Sequence, residues 1–306
     1  MKTILDNHTL QPQGSHEFSP ALRCSANPAS PAVAHAPVTE QRPSFFAGKG
    51  DVGALVFAWT TAIGRRHAEG NGVNEDSVAV EQDEERLHAI VADGVSMGAC
   101  GAIASAACAN HLVALRLQYP LDECASQAGK AALEAGIRAA NAVVVEAVAR
   151  FGVEEGATTF SGLWFSPVGS GWVSRCGDCR VWLFWRNSVG KVSLHQLGED
   201  QTFATTGETP YAAYVPYSNP SRMVGIGDEY VGEPNVWDIT LSPDSGVMLT
   251  SDGVHGVLDV DRLRLILEEG FSRQASLAAI VGEIGAPARE GVGGDDASVF
   301  LLHKRW

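Results

Sequence analysis

An α+β fold, with two sheets flanked by helices, is predicted by three features of the chain. Short apolar runs rich in β-formers occur before and after a central stretch of helical spacing. The order is strands, two long helices, then more strands, rather than an alternating β-α-β pattern. The chain has 306 residues, 45% hydrophobic and 19% charged. That is the composition of a globular protein with a sizeable core.

The elements follow in order. Residues 1 to about 50 contain many Pro, Ser, Ala, Gln and His without a sustained period, and read as a flexible leader, 1–50. The folded domain, 51–306, is expected to begin near Gly53 with the strand Ala54–Trp59. Strands are predicted at Asp76–Val80, after a Gly- and Asn-rich turn, and at Leu87–Ala92, a nearly continuous apolar run. Residues 98–118 and 123–150 are Ala- and Leu-rich with apolar positions at helical spacing, and Tyr119-Pro120 separates them. Their apolar stripes read as core faces. Strands resume at Thr158–Phe165, Gly171–Arg175 and Val181–Trp185. Residues 199–231, rich in Gly, Pro, Tyr and Thr, read as a loop or flap over a site. A strand at Val247–Thr250, a helical region over 259–284 and a closing strand at Ser298–Leu302 complete the chain.

The formal net charge of −14 argues against nucleic acid or an anionic membrane as partner, because phosphate repels such a surface. The surplus of carboxylates suits a divalent-cation site, although most of these acids serve solubility. Six cysteines occur. Cys100, Cys108 and Cys124 fall in the helical stretches and read as buried free thiols of a reducing compartment. Cys176-Gly177-Asp178-Cys179 matches C-x-x-C, yet no second pair is present to complete a zinc site. The N-terminus has no apolar signal-peptide core, and no stretch of 18 apolar residues occurs. A cytoplasmic enzyme is the expectation.

Four acidic features share one local context. Glu75-Asp76 leads into a strand, Asp93-Gly94 follows one, Asp252-Gly253 follows another, and Asp295-Asp296 precedes the last. An acid where a buried strand ends can project into a cleft at the sheet edge, and a following Gly lets the backbone turn toward a ligand. Several such acids close together raise one another's pKa unless cations neutralise them. Mg²⁺ or Mn²⁺ would do so with oxygen ligands. Asp-Gly is also a common turn, and each acid alone reads equally as a solvated turn residue.

At these residues the chain resembles the metal-dependent serine/threonine protein phosphatases of the 2C type. Gly72-Val-Asn-Glu-Asp76-Ser77 is similar to the first acidic motif and Val91-Ala-Asp93-Gly94-Val95 to V-A-D-G. Gly156-Ala-Thr-Thr159 is similar to G-x-T-T, and Cys176-Gly-Asp178-Cys-Arg180-Val-Trp-Leu183 to G-D-S-R-x-Y-L. Leu249-Thr-Ser-Asp252-Gly253-Val254 is similar to L-x-S-D-G-L, and Gly293-Gly-Asp295-Asp296-Ala-Ser-Val299 to the closing motif. Six motifs in order span residues 60–302. The resemblance implies an α-β-β-α four-layer sandwich of two mainly antiparallel sheets flanked by helices. It implies two ions, Mg²⁺ or Mn²⁺, with Asp93 bridging them. Asp252 and Asp295 would complete one ion, Glu75 and the Gly94 carbonyl would serve the other, and Asp76 would hold a water of the metal shell.

Two departures qualify this. Five residues before Asp76, where the family has a phosphate-binding Arg, stands Asn71. Just upstream lies Gly64-Arg65-Arg66-His67, resembling a variant branch with G-x-x-H at this place. His67, with Arg65 or Arg66, is therefore the candidate phosphate-side group, and His67 also the candidate general acid. An ordinary turn histidine is the competing reading. Asp178 matches a ligand of a third metal seen in some members, but Gly256 stands where its partner acid would be. A third-metal role and a turn-fixing role both stay open for Asp178. The function implied is hydrolysis of phosphoserine and phosphothreonine in proteins by a monomeric phosphoric monoester hydrolase opposing a Ser/Thr kinase. The alternative is a weak or inactive phosphatase-like domain that binds a signalling partner.

Overall fold

The computed structural model describes residues 2–3, 45–70, 72–95, 100–117, 123–152, 156–210 and 214–305, with backbone alone at 2–3, 45 and 123–126. The first half of the chain forms β1 (Lys2–Thr3), β2 (Phe45–Val52), β3 (Leu55–Ala62), α1 (Arg65–Glu69), β4 (Ser77–Gln82), β5 (Leu87–Val95), α2 (Gly101–Val113) and α3 (Glu123–Ala149). Then come β6 (Ala157–Phe165), β7 (Ser170–Cys176), β8 (Arg180–Arg186), β9 (Val192–Gln196), α4 (Phe203–Thr206) and α5 (Asp228–Val231). The chain closes with β10 (Asn235–Thr240), β11 (Ser245–Thr250), α6 (Asp252–His255), α7 (Val260–Ser272), α8 (Leu277–Ile284), α9 (Ala286–Arg289) and β12 (Ala297–Lys304).

The strands make two sheets, ordered β1-β4-β5-β6-β7-β10 and β2-β3-β12-β11-β8-β9, with every pairing antiparallel. Three apolar clusters fill the spaces between layers. One joins α2 and α3 to the first sheet through Ile90, Leu112, Leu133, Phe160 and Trp164. One lies between the sheets and includes Phe57, Val91, Leu163, Leu249 and Phe300. One joins the second sheet to α7 and α8 through Met248, Leu263, Ile280 and Leu301. This is the expected four-layer α-β-β-α arrangement. The helices are closed by local chemistry: Asp259 accepts from the Arg262 N–H at 2.8 Å to cap α7, and Ser276 accepts from that of Ala279 at 3.2 Å to cap α8.

Four strands were not expected from the sequence, the first being the two-residue β1, which pairs with β4. β2 extends the second sheet back to Phe45, eight residues before Gly53; residues 4–44 of the predicted leader lie outside the described residues. Its run FFAGKGDV lacks strand character because Gly48 and Gly50 sit opposite Trp59 and Phe57. A Cβ on either glycine would come within 2.5 Å of the facing ring. The glycines make room for aromatic side chains of the next strand. β9 and β10 are edge strands with alternating burial, and their polar, half-exposed composition hides them.

Strand parity places the site. Along β5, Leu87, Ala89 and Val91 face the other sheet while Ile90 and Ala92 face α2. Asp93 continues the inter-sheet face. By the same alternation Asp76 continues the face of Val78 and Val80, Ser251 that of Val247 and Leu249, and Ser298 that of Phe300 and Leu302. Thr159 continues the face of Leu163 and Phe165, and Cys179 that of Val181. The inter-sheet layer is thus apolar along most of its length and turns polar at one end.

Candidate active site

The polar end is knitted across the two sheets. The Ser251 hydroxyl, on β11's extension, donates to the Asp76 carboxylate at 2.7 Å and accepts the Ser298 N–H at 2.9 Å. Ser298 donates its own hydroxyl to Thr61 at 2.7 Å, and the Asn74 amide donates to the same Thr61 oxygen at 2.8 Å. Asp76 is 1% exposed. Burial, then the charge of Asp296, pushes its pKa well above the usual carboxylate range, against the Ser251 hydrogen bond.

Asp93 and Asp252 meet at the polar end of the inter-sheet layer. Their carboxyl groups lie within hydrogen-bonding reach of each other. Burial raises both pKa values; Asp93 is raised further by Asp252, Asp76, Asp178 and Asp295, and Asp252 by Asp295. One buried oxygen of Asp252, Oδ1, has no hydrogen-bond partner among the described residues. Asp178, in the turn between β7 and β8, is pushed up to about 7 by burial and by the charge of Asp252. That turn places Gly177 at φ 86°, and Gly177 and Gln201 exchange hydrogen bonds of 2.9 and 3.0 Å, tying the start of the 199–231 segment to the site.

Gly94 and Gly101 bring the end of β5 and the start of α2 into backbone contact. A Cβ on Gly94 would lie 2.3 Å from the Gly101 carbonyl carbon, and one on Gly101 would lie 2.7 Å from Glu75 Oε2. The Gly94 N–H donates to the Glu75 carbonyl at 3.1 Å, and the Ser105 hydroxyl of α2 donates to the same carbonyl at 2.6 Å.

On the other side of Glu75 lies α1. The carboxylate of Asp296, 1% exposed, accepts three hydrogen bonds: from the Gly64 N–H at 2.7 Å, the Glu75 N–H at 2.5 Å and His67 Nδ1 at 2.8 Å. A carboxylate only accepts, so Nδ1 carries the hydrogen and Nε2 faces the site, 3.8 Å from Glu75 Oε2. The hydrogen bond to Asp296 raises the His67 pKa above its ordinary value against the opposing effect of burial. Arg66 Nη2 donates to both oxygens of Asp295 at 3.0 and 2.8 Å and lies 3.4 Å from His67 Nε2.

The Protein phosphatase 2C family model matches residues 63–283, most of the chain. The chain belongs to the protein phosphatase 2C family. No curated protein matches it, but solved structures of the same fold do. An S. agalactiae serine/threonine phosphatase superposes with a TM-score of 0.63 at 18% identity, covering 81% of this chain and 99% of that one. A Mycobacterium tuberculosis serine/threonine phosphatase gives 0.62 at 22% identity, covering 82% and 99%. One from Staphylococcus aureus gives 0.64 at 16% identity, covering 83% and 97%. At these identities the superpositions speak for the fold alone.

In this phosphatase 2C chain the fold gathers Asp76, Asp93, Asp178, Asp252 and Asp295 into one electrostatic cluster, with Glu75, His67 and Arg66 along its α1 side. Arg65 is apart: it is exposed, and its side chain makes no hydrogen bond or ion pair among the described residues. Cys176 and Cys179 are free thiols; Cys176 packs toward the helix layer, while Cys179 Sγ lies 3.2 Å from the Thr159 hydroxyl. Among the described residues no three His, Cys, Asp or Glu side chains already form a metal-binding group. The chemistry nevertheless fits a hard cation: the donors are carboxylate oxygens, two carboxyl groups contact each other, and Asp252 Oδ1 is buried without a partner. Sequence reasoning missed Asp296 and Ser251 as organising residues. Both fall inside the quoted motifs, but which of two adjacent acids turns inward is decided by the strand register.

Proposed function

We propose that the chain is a Mg²⁺- or Mn²⁺-dependent phosphatase acting on phosphoserine and phosphothreonine in proteins. The observation that carries this reading is the Asp93–Asp252 contact, ringed by Asp76, Asp178 and Asp295 at the polar end of the inter-sheet layer. Asp93, Asp252, Asp295, Glu75 and the Gly94 carbonyl are the groups assigned to hold two cations, which when bound lower the pKa of water and offset charge on the phosphate. A third ion is not assigned. Asp178, held by the Thr159 hydroxyl, is read as the residue that fixes the turn before Arg180.

The chain's own residues supply the remaining steps. Asp76, buried and oriented by Ser251, is the acceptor that aligns an attacking water. His67 is oriented by Asp296 with Nε2 toward the site, and the hydrogen bond to Asp296 raises its pKa, which favours the protonated form. From there it can hydrogen-bond the phosphate and return a proton to the leaving serine or threonine oxygen. The segment 64–67, with G-x-x-H, takes the place of the arginine absent at position 71.

Asp93→Ala and Asp252→Ala are expected to abolish hydrolysis of a phosphothreonine peptide while the far-UV circular dichroism stays that of the native fold. Activity surviving in both variants would rule out this assignment.

A further inference from the structure

We propose that Arg66 is an exchangeable counter-ion of the acid cluster: it occupies Asp295 when no divalent cation is bound, and is released toward the substrate phosphate when one binds. This rests on the metal-dependent reading above. Both oxygens of Asp295 accept from Arg66 Nη2, at 3.0 and 2.8 Å. A carboxylate so engaged cannot also ligate a cation with the same lone pairs. The guanidinium also reaches the rest of the cluster, since its charge acts on Asp252. Arg66 therefore stands where part of a divalent ion's charge would act, and the two repel each other.

The geometry lets the side chain move while its backbone stays. The Arg66 and Asp295 side chains are 57% and 32% exposed, so neither is locked by packing. The α1 backbone is pinned instead: the Arg66 N–H donates to the Gly294 carbonyl at 2.9 Å, and the preceding Gly64 N–H donates to Asp296. The guanidinium already lies 3.4 Å from His67 Nε2, on the side assigned to the phosphate. Its planar fork suits phosphate as well as carboxylate.

Exchange predicts effects of opposite sign on the two ligands, which general damage to the site does not. The test is calorimetric titration of Mn²⁺ into chelator-stripped full-length protein, with KM for a phosphothreonine peptide measured at saturating Mn²⁺. Arg66→Ala is expected to bind Mn²⁺ about fivefold more tightly, the size of one exposed ion pair removed. Its KM is expected to rise about tenfold, on the order of one lost charge-assisted hydrogen-bond pair. Arg66→Lys, which keeps the charge and loses the fork, should bind Mn²⁺ within about twofold of wild type. Unchanged or weaker Mn²⁺ binding by Arg66→Ala, or a KM that does not rise, overturns the exchange. Failure of the wild type to bind Mn²⁺ at all is a separate outcome, and overturns the metal reading together with it.

Discussion

Asp296 serves three donors with two oxygens, and this fixes how α1 and the Glu75 backbone approach the acids. Removing the carboxylate leaves the Gly64 and Glu75 N–H groups and His67 Nδ1 without that acceptor in a buried setting. Asp296→Ala should therefore destabilise the protein by about 2–4 kcal/mol, measured by urea denaturation. Asp296→Asn retains the size and one acceptor, and should keep more of that stability. His67 makes a different prediction. If it protonates the leaving oxygen, His67→Ala should slow hydrolysis of a phosphothreonine peptide by about 10²–10⁴-fold. It should slow p-nitrophenyl phosphate, whose leaving group needs no proton, far less. Equal losses on the two substrates would leave His67 a purely structural or phosphate-binding role.

The elements owe their placement to small residues as much as to apolar ones. Gly94 and Gly101 let β5 and α2 meet backbone to backbone beside Glu75. Gly94→Ala forces a Cβ against the Gly101 carbonyl, and rigid backbone cannot yield as a flexible side chain does. A loss of about 1–3 kcal/mol is expected, together with weakened Mn²⁺ binding because the Glu75 carbonyl and Gly94 shift together. The inner strands are buried on both faces, and Leu87–Ala92 was legible in the sequence as a nearly continuous apolar run. The edge strands were not legible. β9 and β10 are half exposed, and β2 depends on rings contributed by β3, a relation visible only across the register. The 199–231 segment read as a loop or flap, and its described residues include two single-turn helices. Its attachment to the site through Gln201 and through paired backbone bonds between Val224 and Thr158 lies beyond local pattern.

At the scale of the whole molecule, two groups of buried titratable residues oppose each other. His88, fully buried with Nδ1 2.9 Å from the Val113 carbonyl, is lowered to about 4 mainly by burial. Above pH 6.5 it is neutral both folded and unfolded. As the pH falls from about 6.5 to 4 the unfolded chain takes up a proton that the folded one refuses, so stability drops, by about 3 kcal/mol in total from this residue. His88→Gln should flatten that limb of the pH–stability curve. The cluster acids act in the opposite sense. With Asp76, Asp93, Asp178 and Asp252 raised, the metal-free fold is favoured while they are protonated and loses stability as the pH rises through their folded values, about 7 for Asp178. Mn²⁺ should therefore raise the melting temperature more at pH 7.5 than at pH 5.5. The acid motifs themselves were readable from strand-end placement. Their convergence needed both sheets, because Asp76 and Asp93 come from one and Asp252 and Asp295 from the ends of strands in the other.

The most direct test of the acid cluster as a catalytic cation site is phosphate release from a phosphothreonine peptide by chelator-stripped protein as Mn²⁺ is added back. The cluster predicts no turnover without the ion and a saturable rise with it. Turnover that persists after stripping, or none at any Mn²⁺ concentration, would contradict it.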